Sequence, residues 1–535
     1  MISRLTIFQN LCKKCINNKR YYSNGNNFLK NNTTNIVNRQ EDPPKLSLEK
    51  DTIYSLASGV GKSGVAVIRV SGSQSKEVLK GLVNKKESEF KPRYATIGTF
   101  FHPLTKEAID KGMFIYFKSP HSFTGEDVVE FHIHGGRAVI HDTLDAISSI
   151  GGTRTSQPGE FTKRAFDNGK MDLSEVEGLA DLIDSQTHHQ RKIAFNQMQG
   201  SISRFYYQLR EDLIRSSAYM EAYIDFGEDA ELDPEIVEQS KNRIIGIRDR
   251  IQSHLNDGKR GERLRQGAQV TILGPPNAGK SSLINLLTNR KVSIVSPIPG
   301  TTRDIIEAML DIGGYPVIIG DTAGIRQSSD TIELEGVQMA KERSETSDLS
   351  LCVLDASQLI EQQTSNSQLD NELLNIINSN TIFIFNKMDI INESPLKKEI
   401  WGRKKLEILD NIVKHVNETR KHIDKVYGKD SIQSVEISCI DNMNIRQLLD
   451  YLQKSLENLF ECQEQDSPLL TRMRYKEALI NCVESLDRYL YFHDSDIVIA
   501  SEELRSAIKS IGEITHSSNI DDLLDIIFKD FCIGK

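Results

Sequence analysis

Hydrophobic and polar residues follow three different patterns along this chain of 535 residues. Residues 46–163 carry short β-rich runs separated by Gly and Pro, which predicts a compact α+β domain. From Leu173 to about Leu264, apolar residues recur at helical spacing in a stretch rich in Gln, Glu and Arg, which predicts long helices. The β-rich runs of the first segment are Ile53–Ala57, Val65–Val70, Met113–Phe117 and Val128–Ile133.

Between Ala268 and about Leu459, predicted strands alternate with helices, which indicates a doubly wound, mostly parallel sheet. After Asp466 the chain is helical again, so this domain is inserted between two helical segments that can pack together. Two polar stretches inside it, Ser357–Ser367 and Asn392–Asp430, indicate expanded surface loops or an extra helix. The predicted strands are Gln269–Leu273, Ile306–Ile312, Pro316–Gly320, Leu349–Asp355, Ile382–Phe385 and Val435–Ile437, and the predicted last helices are Tyr475–Tyr491, Ser501–Gly512 and Ile520–Phe528.

The composition is typical of a soluble globular protein, with 38% apolar and 26% charged residues. No apolar run approaches the roughly 18 residues that a transmembrane helix needs, which predicts no transmembrane segment. Seven cysteines are scattered along the chain, which is not the layout of a disulfide scaffold. Cys12 and Cys15 form a lone Cys-x-x-Cys, and without a second pair downstream they do not favour a zinc site.

The first forty residues contain seven Lys and Arg residues and no carboxylate, with apolar residues at roughly helical spacing. This composition predicts a mitochondrial presequence and a location in the mitochondrial matrix, and the alternative is a disordered Asn-rich tail. Removing these seven positive charges takes the formal charge of the chain from −9 to −16. Such a balance argues against a broad surface that coats nucleic acid, so a nucleic-acid partner would use a local patch.

A phosphate-binding motif of the form G-x-x-x-x-G-K-[ST] runs from Gly274 to Ser281, between a predicted strand and a predicted helix. Backbone N–H groups of such a loop surround phosphate oxygens, and the helix N-terminus adds partial positive charge. Lys280 is expected at the β- and γ-phosphates and Ser281 at Mg²⁺. A second Gly-Lys-Ser at 61–63 lacks the first glycine of the motif and is more typical of a turn in the β-rich domain.

Three further elements follow in the order that GTPases use. Thr301-Thr302 lies in a loop before a strand, where a threonine hydroxyl can reach Mg²⁺, and Asp321-Thr322-Ala323-Gly324 follows the next strand. Asn386-Lys387-Met388-Asp389 ends a later strand, and the Asp389 carboxylate can accept two hydrogen bonds from guanine, whereas adenine offers no matching donors. Ser438-Cys439 can support the base. The residues predicted to bind GTP are Gly274, Asn277, Ala278, Gly279, Lys280, Ser281, Ser282, Thr301, Thr302, Asp321, Thr322, Ala323, Gly324, Asn386, Lys387, Asp389, Ser438 and Cys439, with Ser281 and Thr302 as Mg²⁺ ligands.

From about Leu48 to Lys535 the chain resembles the MnmE (TrmE) family of tRNA-modification GTPases. The resemblance rests on the terminal Cys-Ile-Gly-Lys and on the runs Val67–Gly72, Phe123–Asp127, Pro158–Phe161 and Lys170–Leu173. It implies an N-terminal α+β folate-binding-like domain and a split helical domain with an inserted Ras-like P-loop GTPase domain. The predicted boundaries are 1–45 for the presequence or disordered segment, 46–163 for the N-terminal domain, 164–265 and 461–535 for the two helical parts, and 266–460 for the GTPase domain.

The resemblance also implies that the chain forms a homodimer and works with a flavin-dependent partner of the MnmG (GidA) type. In such a pair, the two proteins add a group to C5 of the wobble uridine of certain tRNAs, here mitochondrial ones. The group is of the carboxymethylaminomethyl or taurinomethyl type. The methylene comes from a tetrahydrofolate derivative in a 5-formyl or methylene form. The resemblance places the folate pocket at Arg69, Glu130, Lys170 and Lys535, and cations do suit the glutamate tail of a folate.

The resemblance also implies hydrolysis without an arginine finger. It places a K⁺ ion beside the phosphates, with Asn277, Ser296, Ile298 and Thr301 as ligands. It gives catalytic roles to Lys280, to Glu333, which would orient the attacking water, and to Cys532 at the modification site. For Glu333 the alternative is an acid that merely begins a helix, and for Cys532 it is a small apolar filler.

Two other functions are compatible with part of these features. A ribosome-assembly or RNA-binding GTPase switch would need the same nucleotide motifs, but it leaves the folate-like domain and the Cys-Ile-Gly-Lys end unexplained. A folate-dependent one-carbon transferase that binds GTP only structurally would not need intact Lys280, Thr302, Asp321 and Glu333. The amine donor, glycine or taurine, is left open by the sequence.

Overall fold

A six-stranded sheet with alternating buried residues forms the N-terminal part of the structure. The structure is a computed structural model, and it describes residues 51–226, 234–288, 307–320, 347–361, 377, 380–419, 432–460, 469–470, 472–515 and 534. The strand order is β3-β4-β5-β2-β1-β6, and neighbours are antiparallel except for β1 and β6. The strands are β1 Thr52–Leu56, β2 Ser63–Ser71, β3 Thr96–Phe101, β4 Ala108–Phe117, β5 Val128–Gly135 and β6 Thr153–Thr155.

Two helices, α1 Ser75–Leu82 and α2 Arg137–Ser148, join one face of this sheet in a common core. Ala66, Ile68 and Val70 of β2 are buried in that core because every second residue of a strand faces the same side. The four predicted β-rich runs are confirmed as β1, β2, β4 and β5. Strands β3 and β6 were not predicted, since β3 contains a Gly and β6 has only three residues, which leaves little periodicity to detect.

The next segment is almost entirely helical up to the inserted domain, as the apolar spacing predicts. Its helices are α3 Glu160–Asp167, α4 Leu173–Asp184, α5 His188–Met198, α6 Ser201–Phe226, α7 Pro234–Asn256 and α8 Gly258–Gln266. Helices α4 and α5 each begin with a capping box, in which Asp172 and Thr187 accept hydrogen bonds from the backbone N–H groups of Glu175 and Gln190.

A second six-stranded sheet follows, with the order β12-β11-β10-β7-β9-β8. All neighbouring strands are parallel except β8 and β9, so the predicted mostly parallel sheet is confirmed. Its elements are β7 Ala268–Leu273, α9 Lys280–Thr288, β8 Glu307–Ile312, β9 Tyr315–Gly320, β10 Leu349–Asp355, α10 Ala356–Glu361, β11 Thr381–Asn386, α11 Met388–Asn392, α12 Pro395–Thr419, β12 Ser434–Glu436 and α13 Ile445–Phe460.

Apolar clusters cover both faces of the parallel sheet. Leu283 of α9 and Leu448 of α13 belong to one cluster, and Trp401 and Ile412 of α12 belong to the other. The charged stretch after Asn392 therefore contains the predicted extra helix. The remainders of the two predicted polar stretches, 362–367 and 420–430, lie outside the described residues.

The last described helices are α14 Met473–Phe492 and α15 Ile497–Thr515, which contain two of the three predicted last helices. Leu479 of α14 and Leu504 of α15 share one buried core with Leu209 of α6 and Ile247 of α7. The two helical segments, which precede and follow the inserted domain in the sequence, thus pack together. The predicted helix Ile520–Phe528 lies outside the described residues, and the exact domain boundaries stay predictions. Among the helices described, none is both long and apolar enough to cross a bilayer.

Candidate functional site

The phosphate-binding loop fits closely against the ends of two neighbouring strands. Gly274 follows β7 with φ of +136°, and a Cβ atom there would collide with the carbonyl oxygen of Val353 in β10. Gly279 has φ of +99°, and a Cβ atom there would collide with the side-chain amide of Asn386. Both glycines are therefore required by positive φ and by close approach. The result is a narrow loop whose backbone is free to turn toward a phosphate.

Lys280 and Ser281 begin helix α9 directly after this loop. The Lys280 ammonium donates to the carbonyl oxygens of Gly274 and Pro275, at 2.8 Å each, so the side chain folds back over the loop. Ser281, Ser282 and Asn277 are exposed at the same end of the helix. A helix N-terminus, a lysine and exposed hydroxyl groups suit a phosphate with its Mg²⁺ ion, so the described residues fit this part of the predicted site.

The Asn386–Asp389 segment is joined to the phosphate loop by a buried hydrogen bond. The Asn386 side-chain amide donates to the carbonyl oxygen of Ala278 at 2.9 Å, and Asn386 is buried at the end of β11. The backbone N–H of Met388 donates to the carbonyl oxygen of Ile437 at 3.1 Å. The structure thus brings together two sequence motifs that are more than a hundred residues apart.

Ser438 and Cys439, which the sequence predicts to support the base, lie beside this segment. The Ser438 hydroxyl donates to the Asp389 carboxylate at 2.8 Å, and the Cys439 backbone N–H donates to the Asn386 side-chain oxygen at 3.3 Å. Burial, together with the nearby Asp389 carboxylate, raises the pKa of the Cys439 thiol to about 11. Cys439 is therefore a neutral thiol at physiological pH.

Asp355 is a residue of this site that the sequence motifs do not include. It is the last residue of β10, and its carboxylate lies 2.6 Å from the Lys387 ammonium. The signal that could have revealed it is a carboxylate at the carboxyl end of the strand beside β11, the sheet edge where ligands bind in such folds. An Asp is also a common residue at the start of a helix, and Asp355 directly precedes α10. The sequence around Asp355 therefore indicates a helix start and does not single it out as a site residue.

In the N-terminal sheet, Arg69 and Glu130 occupy paired positions on β2 and β5. The Arg69 Nε atom donates to the Glu130 carboxylate at 2.9 Å, and both side chains are about one-fifth exposed, at 19% and 18%. The Arg69 guanidinium also lies 5.1 Å from the ring centre of Phe123 and 5.7 Å from that of Phe161. The pair is thus fixed in place with one side open to solvent.

Lys170 and Gly534 both lie near this N-terminal sheet. A Cβ atom built on Gly125 would be 3.3 Å from the Cε atom of Lys170, which places this exposed lysine over the loop that follows Phe123. Gly534, near the end of the chain, has φ of +100° and packs so closely on the Leu56 carbonyl that a Cβ atom would collide with it. Leu56 ends β1, and its neighbour Ser55 pairs with Arg69.

The other predicted site residues lie outside the described residues, and their roles stay predictions. They are Ser296, Ile298, Thr301, Thr302, Asp321, Thr322, Ala323, Gly324, Glu333, Cys532 and Lys535.

Comparisons with known proteins cover nearly the whole chain. The family model described as the MnmE helical domain matches residues 173–532, and the model described as the GTP-binding protein TrmE N-terminus matches residues 52–170. A Dictyostelium discoideum protein named "tRNA modification GTPase gtpbp3, mitochondrial" is 63% identical over 95% of this chain and 99% of its own. The Danio rerio "5-taurinomethyluridine-[tRNA] synthase subunit GTPB3, mitochondrial" is 41% identical over 91% of this chain and 93% of its own. The "tRNA modification GTPase MnmE" of Parvibaculum lavamentivorans is 40% identical over 91% of this chain and 100% of its own.

Proposed function

Because the chain belongs to the MnmE/TrmE family of tRNA-modification GTPases, we propose that it hydrolyses GTP while modifying C5 of the wobble uridine in mitochondrial tRNAs. The two eukaryotic relatives described above are both named as mitochondrial, and the first forty residues of this chain are basic and free of carboxylates. The product is of the carboxymethylaminomethyl or taurinomethyl type. A flavoprotein of the MnmG type is the second enzyme of the reaction.

The observation that carries the GTPase assignment is the contact between the base-reading and phosphate-binding motifs. The hydrogen bond from Asn386 to Ala278 fixes the distance between the two motifs. Asp389, held by Ser438, presents its remaining lone pairs to a base. An enzyme that used its phosphate loop for ATP would have no use for this carboxylate.

The specificity of this site is tested by Asp389→Asn. The new amide loses the acceptors for the guanine N–H groups and gains a donor for the extra carbonyl of xanthine. We expect weaker GTP binding and stronger xanthosine triphosphate binding, measured by titration with fluorescent nucleotides. Equal loss for both nucleotides in a folded variant would contradict the base-reading role.

We further propose that the N-terminal sheet holds a tetrahydrofolate derivative near the chain terminus. Arg69 offers a guanidinium for a carboxylate of the glutamate tail, and Glu130 offers acceptors for the donor edge of a pterin. The packing of Gly534 on Leu56 supports placing Cys532 and Lys535 beside Arg69, because Lys535 directly follows Gly534 and a single residue separates Cys532 from it.

A chain lacking Cys532–Lys535 tests this division of labour between the two sites. We expect GTP turnover to persist and tRNA modification, followed by mass spectrometry of wobble uridine in the presence of the flavoprotein, to be lost. The matched control is Lys280→Ala, which alters the nucleotide site and leaves the terminus intact. Normal modification by the truncated chain would refute the role of the terminus.

For hydrolysis we propose Mg²⁺ bound by Ser281 and Thr302, K⁺ bound by Asn277, Ser296, Ile298 and Thr301, and Glu333 orienting water. Asn277 supports the K⁺ proposal, since it is exposed at the tip of the phosphate loop with φ of +61°. A cation there can stabilise charge on the phosphate oxygens and help the nucleotide domains of a homodimer to meet. The test is GTP turnover in KCl and in NaCl at equal ionic strength. Equal rates for the wild type in the two salts would refute the need for K⁺. A Glu333→Ala variant that hydrolyses GTP as fast as the wild type would refute only the role of Glu333.

A further inference from the structure

The four residues Asn386–Asp389 are each held by a different neighbour. Asn386 is bonded to the phosphate loop, Met388 to Ile437, and Asp389 to Ser438. Lys387 is held by Asp355, which lies on the adjacent strand and outside every motif of the sequence. In the β10–β11 pairing Asp355 is opposite Asn386, so the strand register itself brings the carboxylate to Lys387.

Asp355 is built into the fold as a fixed anion. Its side chain is 1% exposed, and one carboxylate oxygen accepts hydrogen bonds from the N–H groups of Ser357 and Gln358, at 2.9 and 3.3 Å, at the start of α10. Burial acts to raise the pKa of Asp355, but the Lys387 ammonium, Ser357 and Gln358 outweigh it, so the pKa is lowered overall. The carboxylate is therefore ionised at neutral pH, and its second oxygen faces Lys387.

Lys387 is constrained at both ends of its side chain. Its backbone adopts the left-handed conformation, with φ of 65° and ψ of 36°, which a residue other than Gly rarely adopts. Its ammonium is bound to Asp355, and 30% of its side chain is exposed. A lysine normally loses much rotamer freedom when it is ordered, and here that ordering has already taken place in the folded chain.

We propose that Asp355 is a positioning residue of the nucleotide site, which orders Lys387 so that its aliphatic stem covers one face of the base that Asp389 reads. The stem is apolar and can pack on a purine while its ammonium is held elsewhere. This inference rests on the proposed GTP site and extends it to a residue on the neighbouring strand. The contribution is to the affinity for the base, and the phosphate chemistry is left to Lys280.

Asp355→Asn in the full chain is the test. The Asn side-chain oxygen can still accept from Ser357 and Gln358, so α10 keeps its start, whereas the charge that holds Lys387 is removed. We expect the Kd of fluorescent GDP and GTP to rise by the same factor, roughly three- to tenfold, as for one long side chain that must be ordered on binding. We expect kcat at saturating GTP to stay within about twofold, because the reacting groups are untouched.

Two further variants separate positioning from a general effect on the fold. Lys387→Met keeps an apolar stem and removes the ammonium, so the double variant Asp355→Asn/Lys387→Met should lose no more affinity than Lys387→Met alone. Asp348→Asn makes the same change at the opposite end of β10, where Asp348 pairs with Arg263, and should leave nucleotide affinity unchanged. Additive losses in the double variant, or a Kd for Asp355→Asn equal to that of the wild type, would refute the proposal.

Nucleotide binding by the wild type distinguishes the positioning role of Asp355 from the proposed GTP site on which it rests. A wild-type chain that binds no guanine nucleotide would refute the GTP site itself. A wild-type chain that binds GDP and GTP normally, with an unchanged Asp355→Asn variant, would refute only the positioning role. A loss in kcat with unchanged Kd would assign Asp355 to the phosphate side of the site and also contradict the proposal.

Discussion

The two sheets of this protein place charged side chains in opposite ways. In the parallel sheet, Asp355 and Asn386 end their strands, and Lys280 follows the loop after β7, so polar groups collect at one edge, while β7, β10 and β11 carry no charged side chain before that end. In the N-terminal sheet, the Arg69–Glu130 pair lies inside two paired strands. Close to it, Arg164 is 5% exposed at its side chain and forms ion pairs with Glu126 and Glu160.

This difference indicates which charges serve a ligand and which also serve the fold. A charge beyond a strand end can be removed while the apolar core stays intact, so the main loss should be in binding or catalysis. A charge buried between strands and helices leaves an unpaired partner when it is removed, so the fold itself should weaken. Substitutions of charged and hydrogen-bonding residues in both sheets therefore test this distinction.

Arg164→Met should destabilise the N-terminal sheet by up to about 3–5 kcal/mol, the usual cost of removing one partner of a buried ion pair. Glu126, Glu160 and the Asp51 carbonyl would lose their common donor. Hydrogen exchange of the β1 and β2 amides in the full chain measures this loss. Arg215→Met is the control, because its ion pair with Glu211 is exposed and should contribute less than about 1 kcal/mol. Equal protection in both variants would contradict a structural role for Arg164.

Lys280→Ala should lower GTP turnover by about 10²–10³-fold, the size seen when a preorganised group that stabilises transition-state charge is removed. The hydrogen exchange of β7 should stay unchanged, because the hydrogen bonds that Lys280 donates to Gly274 and Pro275 lie in the loop after that strand. The matched control is Lys62→Ala in the second Gly-Lys-Ser, an exposed turn between β1 and β2. A comparable loss of GTP turnover in Lys62→Ala, or a broad loss of protection from hydrogen exchange in Lys280→Ala, would contradict the distinction between the two sheets.

Acid should weaken the N-terminal sheet through Glu160. Burial acts to raise the pKa of Glu160, but hydrogen bonds from Arg154, Gln157 and Arg164 outweigh it and lower the pKa below its usual 4.5. A carboxyl group with a lowered folded-state pKa stabilises the fold above the unfolded value, and this contribution is lost as pH falls below about 4.5. The loss should be smaller than in Arg164→Met, because Arg164 keeps Glu126.

The measurement is the stability of wild type and Glu160→Gln between about pH 5 and pH 3, followed by exchange of the β1 amides. The wild type should lose more stability over this range, since the variant has no carboxylate at position 160 to protonate. Parallel pH profiles would show that Glu160 does not contribute in the expected direction.

The same contrast explains what the sequence could predict. The nucleotide motifs are short runs such as Gly274–Ser281 and Asn386–Asp389, and their chemistry depends on local backbone geometry, so spacing alone revealed them. Arg69 and Glu130 are 61 residues apart and meet only through the register of β2 and β5. No local pattern encodes that register, and these residues were proposed only from the family resemblance.

Asp355 was missed for a related reason. The residues around Asp355 in the sequence indicate only the start of a helix. Its partner Lys387 comes close to it through the pairing of the parallel strands β10 and β11. The strands themselves were predicted to within about two residues because their cores are continuously apolar. The alternation of apolar residues thus predicts the sheet, whereas contacts between neighbouring strand ends need the three-dimensional structure.

The smallest expected effect comes from one substitution made in both regions, Ser438→Ala and Ser71→Ala. Ser438 donates to Asp389 at 2.8 Å, and Ser71 donates to Glu126 at the same distance in the N-terminal sheet. Each change removes a hydrogen bond to a carboxylate, worth about 1–3 kcal/mol. In Ser438→Ala we expect this loss mainly as a GDP affinity weakened by roughly fivefold or more, because Asp389 is no longer aimed at the base. In Ser71→Ala we expect unchanged GDP affinity and faster exchange of the β2 amides, because the partly buried Glu126 has one donor fewer. If both variants changed stability alone, the edge of the parallel sheet would be no more dedicated to its ligand than the interior of the other sheet, and the distinction between the two regions would fail.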